Sequence, residues 1–245
     1  MAERIRLDIA LEQRGLAQSR SRARDAILRG TVRVNGTIVD KPGQPVAPGD
    51  AIVIDDPASR YVSRAALKLI AGLDAAGIDP AGRVCLDVGS STGGFTQVLA
   101  ERGAAKIYAV DVGTGQLHPS VRSLPAVVEL EQTNANDLTQ NHIPDPVDLL
   151  VCDLSFVSVT KVLAAPLALC RPGADAVILI KPQFEVGREA VGKGGIVTDD
   201  AAIARAVDGV TAFMQQNGWR KMTSLPSPIV GGDGNKEIVA VFRLT

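Results

Sequence analysis

The sequence predicts an α/β protein: a doubly wound, mostly parallel sheet preceded by a small α+β module. Three observations predict it. From Lys106 onward, short β-branched runs ending in a charged residue alternate with helical stretches, the pattern of a parallel sheet with helices on both faces. Before them, Arg83 to Thr96 (RVCLDVGSSTGGFT) reads as a buried strand, a glycine loop and a helix start, the arrangement that cradles a nucleotide cofactor at a helix N-terminus. Residues 4 to 54 carry their own helix stops and hairpin turn, so they form a separate unit.

Composition narrows the function classes. Apolar residues make up 46% of the 245 residues and the formal net charge is −1, so affinity for nucleic acid must come from a local patch. Cys85, Cys152 and Cys170 are odd in number and lack C-x-x-C spacing, which argues against a disulfide framework and a zinc site and for a reducing cytoplasm. No uncharged apolar run approaches the roughly 20 residues of a spanning helix, so a soluble protein without membrane or metal partners is expected.

In chain order, Leu7, Ile9, Ala10 and Leu11 keep a helical period that stops at Gly15. Ser19 caps a second helix carrying Ala23, Ala26, Ile27 and Leu28 as far as Gly30. Val32 and Val34 then alternate with Arg33, Asn35-Gly36 makes a hairpin turn into Ile38 and Val39, and Pro48-Gly49-Asp50 turns into Ala51 to Ile54. Between Ser19 and Gly36, Arg20, Arg22, Arg24, Arg29 and Arg33 face Asp25 alone. Arg20 and Arg24 share a helix face, which suits phosphates as well as it suits plain solvation. These residues, with the "GLAQS" arginines and the "VNG" turn, resemble the S4 RNA-binding domain. The resemblance implies binding of structured RNA, read through shape and phosphates more than base edges.

A polar linker, Asp55 to Ser59, leads through Tyr61-Val62-Ser63 into a helix from Arg64 to about Ala76, capped by Ser63. It puts Lys68 on the face of Arg64; singly, Lys68 reads as a surface lysine. In the cradle, Gly89 and Gly94 fit two glycines of the dinucleotide pattern, but Ser91 stands where the middle one must let pyrophosphate touch backbone. S-adenosylmethionine has no phosphate and tolerates that serine. Strands follow at Lys106 to Val110, Val127 to Leu130, Asp148 to Cys152 and Val177 to Ile180, ending in Asp111, Asp153 and Lys181 where an acid or base follows. Asp111 is spaced to hold ribose hydroxyls, with capping of the next turn as the alternative. Residues 219 to 245, around Gly231 to Asn235, read as a closing antiparallel hairpin.

Lys68, Asp153, Lys181 and Glu237 fall at or near one sheet edge. A hydroxyl needs a base to become a nucleophile at neutral pH, and a lysine can serve once burial and a second cation favour its neutral form. Lys181 is the candidate base, Lys68 the nearby cation, and Asp153 and Glu237 the groups that hold them. The whole domain resembles the FtsJ-like ribose methyltransferases, and the chain as a whole the TlyA family of ribosomal RNA methyltransferases. That resemblance implies a class I, Rossmann-like, mostly parallel seven-stranded sheet. It also implies methyl transfer from S-adenosylmethionine to cytidine 2′-hydroxyls of ribosomal RNA, 23S in every case and 16S as well in some members. The family's tetrad falls on Lys68 in "SRAALKL", Asp153 in "VCDLSF", Lys181 in "LIKPQFE" and Glu237 in "GNKEI". Members that modify both subunits have longer termini, and a first helix opening almost at once, at Arg4, with an end at Thr245 suggests the shorter kind.

The division expected is therefore an S4 domain over 1–56, a linker over 57–62 and a methyltransferase domain over 63–245. Cofactor candidates are Asp87, Gly89, Ser90, Ser91, Thr92, Gly93, Gly94, Phe95, Asp111 and Asn134. RNA candidates are Arg4, Arg6, Arg20, Arg22, Arg24, Arg29, Arg64, Arg188 and Lys193, the last two in a glycine-rich segment, 183–197, that reads as a lid. Rivals are weaker. Asp153-Leu154-Ser155-Phe156 lacks the prolines of amine methyltransferases, and Cys152 lies on the strand facing away from Asp153, which leaves cytosine C5 chemistry without its nucleophile. The alternatives are a membrane-acting haemolysin, the label that relatives carry, although nothing here spans or coats a bilayer, and an RNA-binding protein without methyltransferase activity. With aromatics at 3%, Phe156 and Phe184 are the nearest stacking platforms, core packing being the expected role of Phe156.

Overall fold

The computed structural model describes residues 4–231 and 234–245, without the Arg188 side chain, and the middle of the expected 231–235 turn lies outside the described residues. The chain divides into two compact units, Met1–Arg60 and Tyr61–Thr245. In the first, β1 (Ile5–Arg6) leads into α1 (Leu7–Gln13) and α2 (Arg20–Leu28), followed by β2 (Val32–Val34), β3 (Thr37–Ile38), β4 (Pro45–Val46) and β5 (Ile52–Ile54). Ser19 caps α2 by accepting the Arg22 amide at 3.3 Å. Asn35 and Gly36 take positive φ, +51° and +82°, closing the hairpin expected at that turn. The strand β1, pairing antiparallel with β4, is too short to leave a periodic signal. Leu7, Leu11, Ile27, Val32 and Val46 form the core of this unit.

Where a linker was expected, Pro57–Arg60 form a 3₁₀ turn with Ala58 buried, its amide received by Asp56 at 3.1 Å, and Tyr61 is buried in the core of the second unit. The second unit then runs α3 (Ala66–Ala76), β6 (Val84–Val88), α4 (Gly94–Glu101), β7 (Lys106–Val110), α5 (Pro119–Arg122), β8 (Val127–Leu130), β9 (Val147–Cys152), α6 (Ala164–Ala168), β10 (Cys170–Ile180), α7 (Pro182–Glu185), α8 (Asp200–Gln216), β11 (Trp219–Pro226) and β12 (Ile238–Leu244). The helix α3 starts two residues later than its sequence suggests, because Ser63 Oγ accepts the Ala65 amide and spends its cap on the preceding turn.

The sheet order is β11-β12-β10-β9-β6-β7-β8, parallel from β10 to β8, with β12 inserted antiparallel between β10 and β11. That gives the mostly parallel seven-stranded architecture expected. Register fixes the active edge. Val88 lies opposite Cys152, Cys152 opposite Ile178, and Ile180 opposite Ile238, so the residues just beyond those strands, Gly89, Asp153, Lys181 and Glu237, converge. A further contributor comes from α3, which packs close because Gly72 has no side chain: a Cβ there would meet Val177 Cγ1 and Val239 Cγ1, each at 2.8 Å. Lys68 lies one helical turn before Gly72 and is carried to the same edge.

Candidate active site

Lys68 is buried, against its reading as a surface lysine. Its Nζ lies 2.5 Å from Glu237 Oε2 and 3.6 Å from Asp153 Oδ2, and the other Asp153 oxygen lies 2.7 Å from Lys181 Nζ. The result is one chain of charges, Glu237, Lys68, Asp153, Lys181, with both lysine side chains under 10% exposed. Lys181 also donates to Ser155 Oγ at 2.7 Å, a partner the sequence reading passed over although it sits in the "VCDLSF" run. A cavity beside this chain is lined by Ser63, Gly89 to Thr92, Gly94, Phe95, Asp153, Ser155 and Lys181. It therefore joins the glycine loop to the lysine.

The loop is shaped less by ligand clearance than its glycines suggest. A Cβ on Gly93 would meet Leu117 and Val121, and one on Gly94 would meet Ser63, so both make room for protein. Gly89, at φ +81°, abuts Leu154 and the Asp153 carbonyl, which ties the loop to the end of β9. Ser91 adopts a left-handed φ of +46° without being glycine, and its amide is held by Asp111 Oδ2 at 2.8 Å while Asp111 Oδ1 accepts the Gly113 amide at 2.8 Å. Asp111 thus caps two loops. Asn134 caps the turn Ala135–Asp137 by accepting the Asn136 amide at 3.0 Å, and Phe95 belongs mainly to the core.

Asp87, at the end of β6, receives the Thr96 hydroxyl at 2.6 Å on Oδ2, and its Oδ1 is buried without a hydrogen-bond partner among the described residues. Burial pushes its carboxyl up to about 7. Cys152 is fully buried and its thiol pushed up by that burial, which withholds the thiolate that C5 chemistry requires.

A family described as FtsJ-like methyltransferase matches residues 61–244. The chain belongs to that family. An S4 domain matches residues 5–52 of this FtsJ-like protein. Its relatives include the 16S/23S rRNA (cytidine-2′-O)-methyltransferase TlyA of Mycobacterium tuberculosis, 48% identical over 99% of this chain and 91% of the relative. The 23S rRNA (cytidine-2′-O)-methyltransferase TlyA of Campylobacter jejuni is 40% identical over 77% of this chain and 73% of the relative. A solved structure from Streptococcus thermophilus, named as a candidate hemolysin, aligns with a TM-score of 0.76 at 34% identity, covering 100% of this chain and 90% of that one. Among the described residues of the FtsJ-like protein no helix is long and apolar enough to cross a membrane, and no cluster of His, Cys, Asp or Glu could hold a metal.

Around this FtsJ-like site two aromatic rings stand out. Phe156 is 89% exposed at φ +68°, not buried in the core as expected, because the positive φ turns the loop after Asp153 outward. Phe184 lies 5.5 Å from it, centroid to centroid. The 183–197 segment forms α7 and two 3₁₀ turns, held near its end by Asn235, which accepts the Val197 amide and donates to the Gly195 carbonyl, both at 2.9 Å. Lys193 is exposed; the Arg188 side chain lies outside the described residues.

The arginines of the first unit divide. Arg6 and Arg20 both pair with the buried Asp8 at 3.0 Å, and Arg29 pairs with Asp56 at 2.6 Å. Asp8 and Asp56 lie outside Ser19–Gly36, so Arg20 and Arg29 are less free than the local charge balance of that stretch suggests. Arg4, Arg24 and Arg33 are exposed, and Arg22 and Arg64 are half-buried.

Proposed function

We propose that this chain methylates cytidine 2′-hydroxyls in ribosomal RNA, 23S first and 16S as a second target, in the cytoplasm and with S-adenosylmethionine as donor. Residues 1–56 grip RNA through Arg20, Arg24 and their neighbours, and residues 63–245 carry the chemistry. The observation that carries the reading is the buried Glu237–Lys68–Asp153–Lys181 chain at the strand ends of a methyltransferase fold. The two relatives named for cytidine-2′-O methylation support it.

S-adenosylmethionine suits the residues present. The unpartnered Asp87 Oδ1 can receive a cationic group, which would also favour its ionised form. Each Asp111 oxygen already accepts one amide and keeps a lone pair for a ribose hydroxyl, so capping and ribose binding are compatible. Bound there, the donor supplies a methyl group on a sulfonium, an electrophile that needs no metal. The protein's part is the proton. Lys181 Nζ, in its neutral form, takes the 2′-hydroxyl proton as oxygen is methylated, and Asp153 receives the resulting ammonium. Two lysines balance two carboxylates when both lysines are charged, so the base role requires one proton to leave the site beforehand. Lys68, pinned by Glu237, holds a second cation on the other oxygen of Asp153.

Phe156 and Phe184 offer an exposed face on which the target base can stack once splayed from its strand, and 183–197 would close over it. The experiment is to incubate the protein with methyl-labelled S-adenosylmethionine and each ribosomal subunit and to digest the RNA to nucleosides. Label on cytidine ribose is expected. Label on a base, or on neither subunit, would overturn the reading.

A further inference from the structure

The residues between Asp153 and Val159 hold an exposed aromatic in an unfavourable backbone. A left-handed φ at a non-glycine residue persists where neighbouring contacts over-determine it; here Val157 and Val159 pack on the core, and the polar and ring contacts come from one direction. Before Phe156, Ser155 Oγ accepts the Lys181 ammonium at 2.7 Å. After it, the Ser158 hydroxyl donates to Glu185 Oε2 at 2.6 Å and the Val159 amide donates to Glu185 Oε1 at 2.9 Å. Beside it lies Phe184, its ring plane inclined at 51°. All three anchors belong to Lys181 and the four residues after it. Glu185 uses both oxygens on the Phe156 loop, and as the neighbour of Phe184 it fixes the two rings from a single short helix.

We infer that Glu185 is a positioning residue that clamps the Ser155–Val159 loop to α7, so that Phe156 and Phe184 form one preset stacking face beside Lys181. The inference rests on the proposed reaction. Its physical content is preorganisation: without the clamp the loop would relax from its left-handed turn, and a splayed base would find the ring in place for only a fraction of encounters. Glu185 need not touch the RNA. Its effect should pass entirely through Phe156.

That last point makes the clamp testable by a double-mutant cycle in the full-length protein, with ribosomal subunits lacking the modification as substrate. Phe156→Ala should lower kcat roughly ten- to hundredfold, the rate equivalent of one base–aromatic stack. Glu185→Ala should lower it by a similar factor, and the double variant should be no slower than Phe156→Ala alone. S-adenosylmethionine affinity by calorimetry should stay at the wild-type value in all three, which a general loss of structure would not allow. Glu185→Gln, which keeps one acceptor oxygen at the same length, should recover part of the rate and guards against Glu185→Ala failing to fold. Multiplying effects in the double variant, or full activity of Glu185→Ala beside an impaired Phe156→Ala, would overturn the clamp alone. Full activity of Phe156→Ala would remove the stacking face and the clamp with it. A wild-type enzyme that methylates neither subunit would overturn the reaction itself, and the clamp with it.

Discussion

In the first unit the Asp8 carboxylate is 1% exposed while the Arg6 and Arg20 side chains it holds are 46% and 54% exposed; in the second, Lys68 and Lys181 are themselves 8% and 9% exposed. The two arrangements use similar residues for opposite ends. A buried acid with half-exposed cations orients the cations yet leaves most of each guanidinium facing solvent, where it can still meet a phosphate. A buried cation cannot be lent to a partner in that way. It is held among carboxylates, in a medium where removing any one member leaves an uncompensated charge. The first arrangement suits binding and the second suits chemistry.

The sharpest way to break the comparison is at Lys181. If it is the base, Lys181→Ala loses rate by about 10²–10⁴-fold, as expected for a positioned proton acceptor, while S-adenosylmethionine and RNA still bind. Lys181→Arg should fail as well, since arginine keeps the charge but cannot give up its proton near neutrality. Single-turnover methylation separates these steps from product release. Near-normal turnover by Lys181→Arg would make residue 181 an electrostatic anchor and would move proton removal to Asp153 or water.

Next in size is the Lys68–Glu237 pair. Glu237→Ala leaves Lys68 with only Asp153, 3.6 Å away, and breaking a buried pair from one side costs about 3–5 kcal/mol. Denaturant midpoints should show that loss, and replacing both Lys68 and Glu237 by Met should restore most of the stability but none of the activity. A stable single variant would mean that water reaches the pair.

How much of this was legible beforehand follows from what each signal depends on. The strands of the second unit were visible because buried parallel strands are continuous apolar runs, and Lys68, Asp153, Lys181 and Glu237, which the fold brings together, were singled out by their places at strand ends and by the family resemblance. Gly72 was not legible, because its function depends on two valines 105 and 167 positions away in the chain, Val177 and Val239. The pairing of Arg29 with Asp56 was equally hidden, and so was the exposure of Phe156, since an aromatic after a strand reads as core until its backbone φ is known. Local pattern is written in the sequence; the partner brought in by the fold is not.

A smaller effect should appear at Asp8. The Arg6 and Arg20 guanidinium groups hold its carboxyl well below the ordinary carboxylate range, at about 2, with burial opposing them. Because the folded value is depressed, the stabilisation is present above the unfolded value near 3.8 and is lost as pH falls from about 4 to about 2. With one pKa unit worth about 1.4 kcal/mol and the guanidinium groups half screened by solvent, the loss should be about 1–2 kcal/mol. Acid titration of unfolding in wild type and Asp8→Asn measures it; identical pH profiles would mean that the arginines do not hold the acid in solution.

The smallest effect separates the arginines of α2 and its C-terminal cap from one another. Arg24 is exposed, whereas Arg29 is 18% exposed and bound to an Asp56 that is 7% exposed. Charge counting treats them alike, but the physical expectation differs. Arg24→Ala removes a cation that faces solvent, so the fold should keep its stability within about 0.5 kcal/mol. RNA affinity should fall, and the slope of log affinity against log salt should flatten by about one unit, because one phosphate fewer is neutralised by the protein. Arg29→Ala removes a cation already matched by a carboxylate, so its cost should appear in the unfolding midpoint, with the salt slope unchanged once the protein is folded. Arg20 lies between the two, tied to Asp8 yet half exposed, and should lower both quantities. Measured salt slopes that rank Arg29 with or above Arg24 would mean that the Asp56 pair opens on RNA, and that burial in the free protein is a poor guide to which cations RNA uses.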